Sequence, residues 1–153
     1  LPFVYRIHEE PSDEKLESLR EALVKLNVQY KLGEKVCPGD MSEILKAAKG
    51  TDIDLIMNNI VLRSMSKARY STEPVGHFGL ALEDYAHFTS PIRRYPDLTI
   101  HRIMSAFLSG SSAEECATKF NKFVYASADQ STKTELTAMQ VSEAVRTVIR
   151  LSI

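Results

Sequence analysis

The sequence contains little cysteine and no long hydrophobic run. Its two cysteines, Cys37 and Cys116, form no CxxC pair. This arrangement favours two reduced thiols in a cytosolic protein over a disulfide framework. No apolar segment approaches the ~20 residues that a membrane helix needs, and no secretory leader is recognisable. We therefore expect a cytoplasmic protein with no membrane partner.

The sequence also lacks an excess of either charge. Its 19 Lys and Arg residues oppose 20 Asp and Glu residues, which leaves a net charge of −1. Nucleic-acid-binding domains usually carry a strongly basic face, so the bulk charge does not indicate this function. Any nucleic-acid site must therefore depend on a local cluster. Internal repeats and low-complexity linkers are absent too, and 153 residues with 44% hydrophobic composition are typical of one globular domain.

Apolar periodicity predicts a mainly α-helical chain with a few short extended segments. Residues Leu16, Leu19, Leu23 and Leu26 form the apolar stripe of a first helix, which Ser12 can cap. The next elements predicted are a break at 38–40, a helix over 41–50, a helix from Thr51 with Ile53, Ile56, Met57, Ile60 and Val61 inward, and an extended segment over 77–82.

Capping signals mark the helices of the second half. Ser90 followed by Pro91 predicts a helix start, with a kink or restart at Pro96 before the helix continues to Leu108. Ser112 and Glu115 form a capping box for the next helix. A polar interruption over 129–133 is predicted to separate that helix from a final one, capped by Thr132 with Glu135.

The two ends of the chain are apolar and abrupt. It starts at Leu1 rather than at Met, and its last residues, 148–153, continue a helical pattern without a stop signal. We expect it to be a piece of a longer chain.

The densest candidate for chemistry is the segment from His87 to Asp97, followed by His101 and Arg102. Arg93 and Arg94 fall in the first turn of the predicted helix, where free backbone N–H groups and guanidinium groups favour a phosphate. Adjacent helical residues point about 100° apart, so one arginine would face the ligand while the other pairs with Asp97. A solvated helix start with a structural ion pair is the alternative.

Nearby aromatic side chains leave two interpretations open. Tyr85, Phe88 and Tyr95 could stack on RNA bases, although aromatic residues beside a helix start more often belong to the core.

Several motifs, in order along nearly the whole chain, resemble those of the ribonuclease II/R family. They are the YRxHxxP element at 5–11, HFGLAL at 77–82, Tyr85, HFTSPIRRYPD at 87–97, His101-Arg102, and further matches at 62–70 and 131–135. The resemblance implies a processive, hydrolytic 3′→5′ exoribonuclease that releases nucleoside 5′-monophosphates from single-stranded RNA with Mg²⁺. It implies an α+β parent domain, of which this segment is the mainly helical C-terminal part over 1–153.

The same resemblance implies roles for individual residues. Arg93 matches the family arginine that stabilises charge on the scissile phosphate, and Glu143 is the candidate for a late-helix glutamate. The residues expected to contact RNA are Arg94, Tyr85, His87, Tyr95 and Ser90.

The family's metal-binding aspartates would precede Leu1, so no metal ligand is expected in this segment. The segment alone is then expected to be inactive, to need the missing half of the catalytic domain as a partner, and to self-associate through exposed apolar surface.

Three further patterns favour structural roles. Asp97 and His101 have a spacing that suits one metal, but no third ligand is placed, so backbone or neighbour contacts are favoured. His77 and His87 could act in acid–base chemistry, yet packed histidines are the more frequent case. Ser90 lacks a GxSxG context for a nucleophile.

The alternative to an exoribonuclease segment is a non-catalytic RNA-binding or protein-interaction module of the same family.

Overall fold

The computed structural model describes residues 1–151, with side chains described through residue 147. Helices account for 59% of the chain, with five α-helices and a two-stranded sheet in the described part. The prediction of a mainly helical segment with a few short strands is confirmed. The predicted continuation of the last helix over 152–153 lies outside the described residues.

The chain divides into two compact units. The helical unit comprises His8–Ala68 and Val75–Glu83, and the strand-containing unit comprises Leu1–Ile7, Arg69–Pro74 and the chain from Asp84 onward.

The helical unit contains three α-helices and one 3-10 turn. These are α1 (Asp13–Lys25), α2 (Pro38–Ala48), α3 (Asp54–Ser64) and the turn Phe78–Leu80. The leucine stripe of α1 is buried as predicted at Leu16, Leu19 and Leu23. It packs in a core that also holds Val36, Met41, Ile44, Ala48, Met57, Val61 and Phe78.

The start of α2 and the buried face of α3 differ from the prediction. Pro38 begins α2 instead of breaking the chain, because the first helical turn needs no N–H from that residue. The carboxylate of Asp40 closes this end by accepting the Cys37 N–H at 2.6 Å. In α3, Met57 and Val61 are buried, whereas Ile56 is exposed, so its predicted inward orientation is wrong.

His8 connects three segments of the helical unit. The Gly79 N–H donates to His8 Nδ1 at 2.9 Å, so this nitrogen must be the acceptor. The other ring nitrogen, Nε2, therefore carries the hydrogen and donates to the Ser66 carbonyl oxygen at 2.6 Å. Both ring nitrogens of the buried His8 are thus engaged, and the ring has no freedom to move away from Gly79.

The strand-containing unit is built from two short strands and two helices. Strand β1 (Tyr5–Ile7) pairs antiparallel with β2 (Arg69–Ser71), so that Arg6 lies opposite Tyr70. The helices are α4 (Tyr95–Leu108) and α5 (Ala113–Leu151). Their shared core consists of Val4, Tyr70, Ile100, Ile103, Cys116, Phe120, Val124 and Ala128.

Helix α5 is a single element, so the predicted interruption over 129–133 is wrong. The capping box is formed as expected, with Ser112 and Glu115 exchanging hydrogen bonds of 2.8 and 3.1 Å. The polar residues at 129–133 stabilise the helix, because Lys133 Nζ lies 2.7 Å from Asp129 Oδ2 in an i,i+4 ion pair. Neither Gly nor Pro occurs there to end the helix.

Several large apolar side chains are exposed, among them Leu55 and Leu62 on α3 and Leu108 on α4. The expected self-association stays a prediction. None of the helices in the described part combines the length and apolar character needed to cross a membrane. Both cysteines are free thiols.

Replacing Gly79 by alanine is expected to destabilise the helical unit. The new Cβ would lie 2.8 Å from His8 Nδ1, and this ring is held by its two hydrogen bonds. We expect a loss of about 1–3 kcal/mol in the free energy of unfolding, measured by urea denaturation, as for other overpacked sites. The matched control is Gly39→Ala in the first turn of α2, where a Cβ would meet nothing within 4 Å. Equal stability of the two variants would contradict this account of Gly79.

Candidate functional site

A groove of about 470 Å³ lies in the strand-containing unit. It is bordered by β2, by the residues that lead into α4, and by one face of α5. The lining residues are Tyr70, His87, Arg93, Arg94, Tyr95, Pro96, Gln130, Ser131, Thr134, Glu135 and Ala138. The groove therefore brings together four of the predicted site residues: Arg93, Arg94, His87 and Tyr95.

The two arginines lie on a turn and not in a helix. The Ser90 carbonyl oxygen accepts the N–H groups of Arg93 and Arg94 at 3.2 and 3.0 Å, and α4 begins only at Tyr95. The predicted restart of the helix at Pro96 is therefore confirmed, whereas the predicted helix start at Ser90 is wrong because of the same proline. In a helix that began at Pro91, Pro96 would lie in the interior, lose a hydrogen bond and clash with the preceding turn.

Arg94 is committed to a local ion pair. Its Nε and Nη2 atoms donate to Asp97 Oδ2 at 3.1 and 2.9 Å. The same oxygen accepts the Ser90 N–H at 2.8 Å, and Asp97 is 0% exposed. The prediction that one arginine would pair with Asp97 is confirmed.

Arg93 is the other member of the pair. Its side chain is exposed and lines the groove. Among the described residues the Arg93 guanidinium takes part in no hydrogen bond and no ion pair, so its five N–H donors are available to a ligand.

His87 and Tyr70 form a hydrogen-bonded pair at the side of the groove, with 2.9 Å between the Tyr70 hydroxyl and His87 Nδ1. Burial lowers the pKa of His87, and the guanidinium groups of Arg94 and Arg6 lower it further. Burial is also the main cause that raises the pKa of Tyr70. Both side chains are therefore neutral at pH 7. The structural interpretation of His87 as a packed, hydrogen-bonded histidine agrees with this geometry.

The sequence analysis gave no site role to four residues found here, which are Arg6, Tyr70, Thr132 and Glu135. Arg6 from β1 binds the Glu135 carboxylate of α5 through two hydrogen bonds of 2.6 and 3.0 Å. The same guanidinium lies 4.7 Å from the ring centroid of Tyr70, a cation–π contact. Thr132, interpreted as a helix cap, instead accepts the Tyr70 N–H at 3.0 Å. No local spacing connects residue 6 with residue 135, so only the presence of Arg6 in the YRxH element could have pointed to it.

Three of the predicted residues lie outside the groove lining. The Tyr85 carbonyl oxygen accepts the Arg6 N–H at 2.8 Å, and the Tyr85 ring packs edge-on against His87. Ser90 contributes only its backbone to the turn: its carbonyl oxygen accepts the N–H groups of Arg93 and Arg94, and its N–H donates to Asp97. Glu143 lies eight residues beyond Glu135, about 12 Å further along α5, and borders an adjoining concave surface that shares Glu135 and Ala138 with the groove but does not include Arg93. The structure therefore does not bring Glu143 together with Arg93.

The described residues do not suit a divalent metal ion. Mg²⁺ needs several converging oxygen ligands, but the two carboxylates near the groove, Asp97 and Glu135, are each bound by a guanidinium. No group of three His, Cys, Asp or Glu side chains in the described part of the chain could hold a metal. The Asp97–His101 pair is no exception, since His101 Nε2 bonds the Phe88 carbonyl oxygen at 2.8 Å.

Comparisons with known proteins agree with the motifs. Residues 1–110 match the family model described as "RNB domain". Ribonuclease R of Thermotoga maritima is 41% identical over 124 residues, which cover 80% of this chain and 18% of that protein. The chain thus spans about a fifth of the length of this relative.

Solved structures share the fold. Mycoplasma genitalium RNase R in complex with ribose-methylated single-stranded RNA matches 95% of this chain and 23% of its own, with a TM-score of 0.84 and 32% identity. Yeast Ssd1, described as a pseudonuclease, matches 84% of this chain and 17% of its own with a TM-score of 0.62, and at 23% identity this likeness shows the fold alone. The family model covers most of the chain and the motifs follow in order, so this chain belongs to the RNB domain family.

Proposed function

We propose that this chain acts in the cytoplasm as a segment of a processive, hydrolytic 3′→5′ exoribonuclease that degrades single-stranded RNA to nucleoside 5′-monophosphates. Membership of the RNB family supports this proposal, as do relatives named ribonuclease R. A structural relative was solved in complex with single-stranded RNA. In this proposal, the segment contributes the phosphate-binding arginine to the complete enzyme.

The charge distribution in the groove carries the proposal. Arg94 is neutralised by Asp97, and Glu135 is neutralised by Arg6. His87 is neutral because burial lowers its pKa. Arg93 is therefore the one uncompensated charge among the described lining residues, which makes it the natural partner of an anionic phosphate.

Arg93 is suited to stabilise charge on a phosphate during hydrolysis. A guanidinium that already faces the groove gives up no ion pair when it binds the substrate, and such preorganised donors stabilise the transition state most effectively. Tyr95 lines the same groove with a partly exposed ring that can stack on a base. His87 and Arg94 would contribute hydrogen bonds from the groove wall.

Mg²⁺ enters the proposal only through residues outside this chain. The described side chains offer it no site, so the complete enzyme would hold it with carboxylates supplied elsewhere. Glu143 as a catalytic glutamate stays a prediction, although Glu135 is the glutamate that borders the groove.

A non-catalytic module is the second candidate. The likeness to yeast Ssd1, a pseudonuclease, keeps this second candidate open, because the fold alone does not distinguish an active from an inactive relative. The two candidates differ in what Arg93 does: a catalytic segment needs it for turnover, whereas a binding module needs it only for affinity.

Replacing Arg93 by alanine in the complete enzyme is expected to lower turnover about 10²–10³-fold, because preorganised charge stabilisation is lost. Binding of single-stranded RNA should weaken much less, since other contacts remain. The measurements are single-turnover degradation of a 3′-labelled oligonucleotide and its Kd. The matched control is Arg63→Ala, an exposed arginine on α3 that does not line the groove. Equal losses of turnover and affinity would reduce Arg93 to an anchor, and an unchanged rate would reject its role.

The isolated chain of 153 residues is expected to show no nuclease activity with Mg²⁺, because its described carboxylates form no metal site. The measurement is release of nucleotides from labelled RNA over a range of Mg²⁺ concentrations, with the complete enzyme as the positive control. Degradation that persists in the Arg93→Ala chain would indicate a contaminant. Degradation that this substitution abolishes would show that the segment is active alone.

Acid is expected to destabilise the fold around the groove through His87. The pKa of the folded-state imidazole lies below its ordinary value of 6.5. The unfolded chain therefore binds this proton more readily, so stability is retained above pH 6.5 and falls as the pH drops through the folded-state pKa. Urea denaturation of wild type and His87→Gln should show a smaller acid-induced loss in the variant. Tyr70→Phe should keep the wild-type slope, because burial is the main cause of the shift; an unchanged slope in His87→Gln would contradict the assignment.

A further inference from the structure

The turn that carries Arg93 is attached to the protein by few contacts. Its outermost residue, Ile92, is 102% exposed, and Arg93 itself is exposed. Packing therefore does not fix residues 92–93 at the tip of the turn. The contacts that hold it are the two bonds to the Ser90 carbonyl oxygen and the contacts made by Asp97.

Asp97 connects both ends of this turn. From the first turn of α4 it accepts the Ser90 N–H, seven residues earlier, and binds the guanidinium of Arg94, three residues earlier. One carboxylate oxygen thus fixes the residue where the turn begins and the residue where it ends. Arg93 lies between these two anchors.

We propose that Asp97 is a positioning residue: by closing the Ser90–Arg94 turn, it sets where the Arg93 guanidinium lies in the groove. This inference rests on the proposed function of Arg93. It adds a requirement that the family resemblance did not imply, since Asp97 was expected only to neutralise an arginine.

Burial makes the arrangement specific. Asp97 is fully buried, and a buried carboxylate is tolerated only when it is paired and hydrogen-bonded. Three N–H donors converge on Oδ2, whereas Oδ1 is buried without a hydrogen-bond partner among the described residues. All hydrogen bonds to the carboxylate therefore come from the turn that it closes, and a substitution at Asp97 removes the bonds that join the two ends of that turn.

Asp97 also keeps the two arginines in separate roles. Both guanidinium groups border the groove, so an unpaired Arg94 could bind the same phosphate. Pairing with Asp97 holds Arg94 in the wall and leaves the groove's free charge on Arg93. The positioning role thus has two parts, the geometry of the turn and the choice of the arginine that meets the substrate.

A double-mutant cycle in the complete enzyme tests the proposal. Asp97→Asn and Asp97→Ala are each made in the Arg93 and in the Arg93→Ala background. With Arg93 present, we expect Asp97→Ala to lower the single-turnover rate about tenfold to a hundredfold, the range in which a misplacement of about 1 Å acts. Asp97→Asn should fall between wild type and Asp97→Ala, because its amide oxygen can still accept hydrogen bonds but binds the guanidinium less strongly. The Kd for single-stranded RNA should change less than about threefold in both.

The Arg93→Ala background separates positioning from general stability. If Asp97 acts through Arg93, its replacement should lower the residual rate by less than about twofold there, because coupled residues are not additive. An equal fall in both backgrounds would overturn the proposal and leave the role of Arg93 standing. A normal rate for Arg93→Ala alone would instead reject the proposed function itself, and positioning with it.

The Asp97→Asn variant guards against loss of folding, and two further variants serve as a second test and as a control. If thermal unfolding shows that Asp97→Ala is not folded, the Asp97→Asn cycle decides by the same criterion. Arg94→Lys tests the other partner of the Asp97 ion pair while keeping its positive charge. This substitution should also lower the rate only when Arg93 is present. Asp129→Asn, which breaks the exposed ion pair with Lys133 on α5, is the matched control and should leave the rate unchanged.

Discussion

Pairing between guanidinium groups and carboxylates determines the shape and the charge of the groove. Arg6 reaches from β1 to Glu135 on α5 and covers the ring of Tyr70, so one side chain connects both strands with the long helix. The Arg94–Asp97 pair joins the turn at 90–94 to the first turn of α4. A partly buried ion pair gains little by itself, but breaking it leaves an unpaired buried charge. These pairs therefore act as fixed parts of the wall and leave one guanidinium, that of Arg93, for a ligand.

Because Arg93 lies on a turn, it would bind a phosphate without help from a helix N-terminus. A helix N-terminus would add partial positive charge from backbone N–H groups. In the turn, the N–H groups of Arg93 and Arg94 are already bonded to the Ser90 carbonyl oxygen. Under the proposed function, phosphate binding here depends on the guanidinium itself and on the residues that hold the turn, above all Asp97, and not on a helix dipole.

The sequence predicted local features better than distant contacts. Capping by Ser112 and Glu115, the leucine stripe of α1 and the Arg94–Asp97 pair depend on residues within a few positions of each other, so their spacing reveals them. The contact between Arg6 and Glu135 joins residues 129 positions apart, and no periodicity encodes it. Of the two helix-start signals, Ser-Pro at 90–91 and Pro96, only the second begins a helix, because one helix cannot begin at both. The predicted restart is therefore confirmed and the earlier start at Ser90 is wrong.

A net charge of −1 is compatible with an RNA-contacting surface in this fold. Part of this charge is neutralised in ion pairs, both on the helices, as in Lys25–Glu21 and Lys133–Asp129, and around the groove. What a phosphate meets is the local imbalance, and at the groove this imbalance is one guanidinium beside neutral His87 and Tyr70. One positive charge gives weak attraction at long range, since salt screens it within about 8–10 Å. Under the proposed function, such a groove is better suited to act on a strand that other parts of the complete enzyme have already bound than to capture RNA from solution.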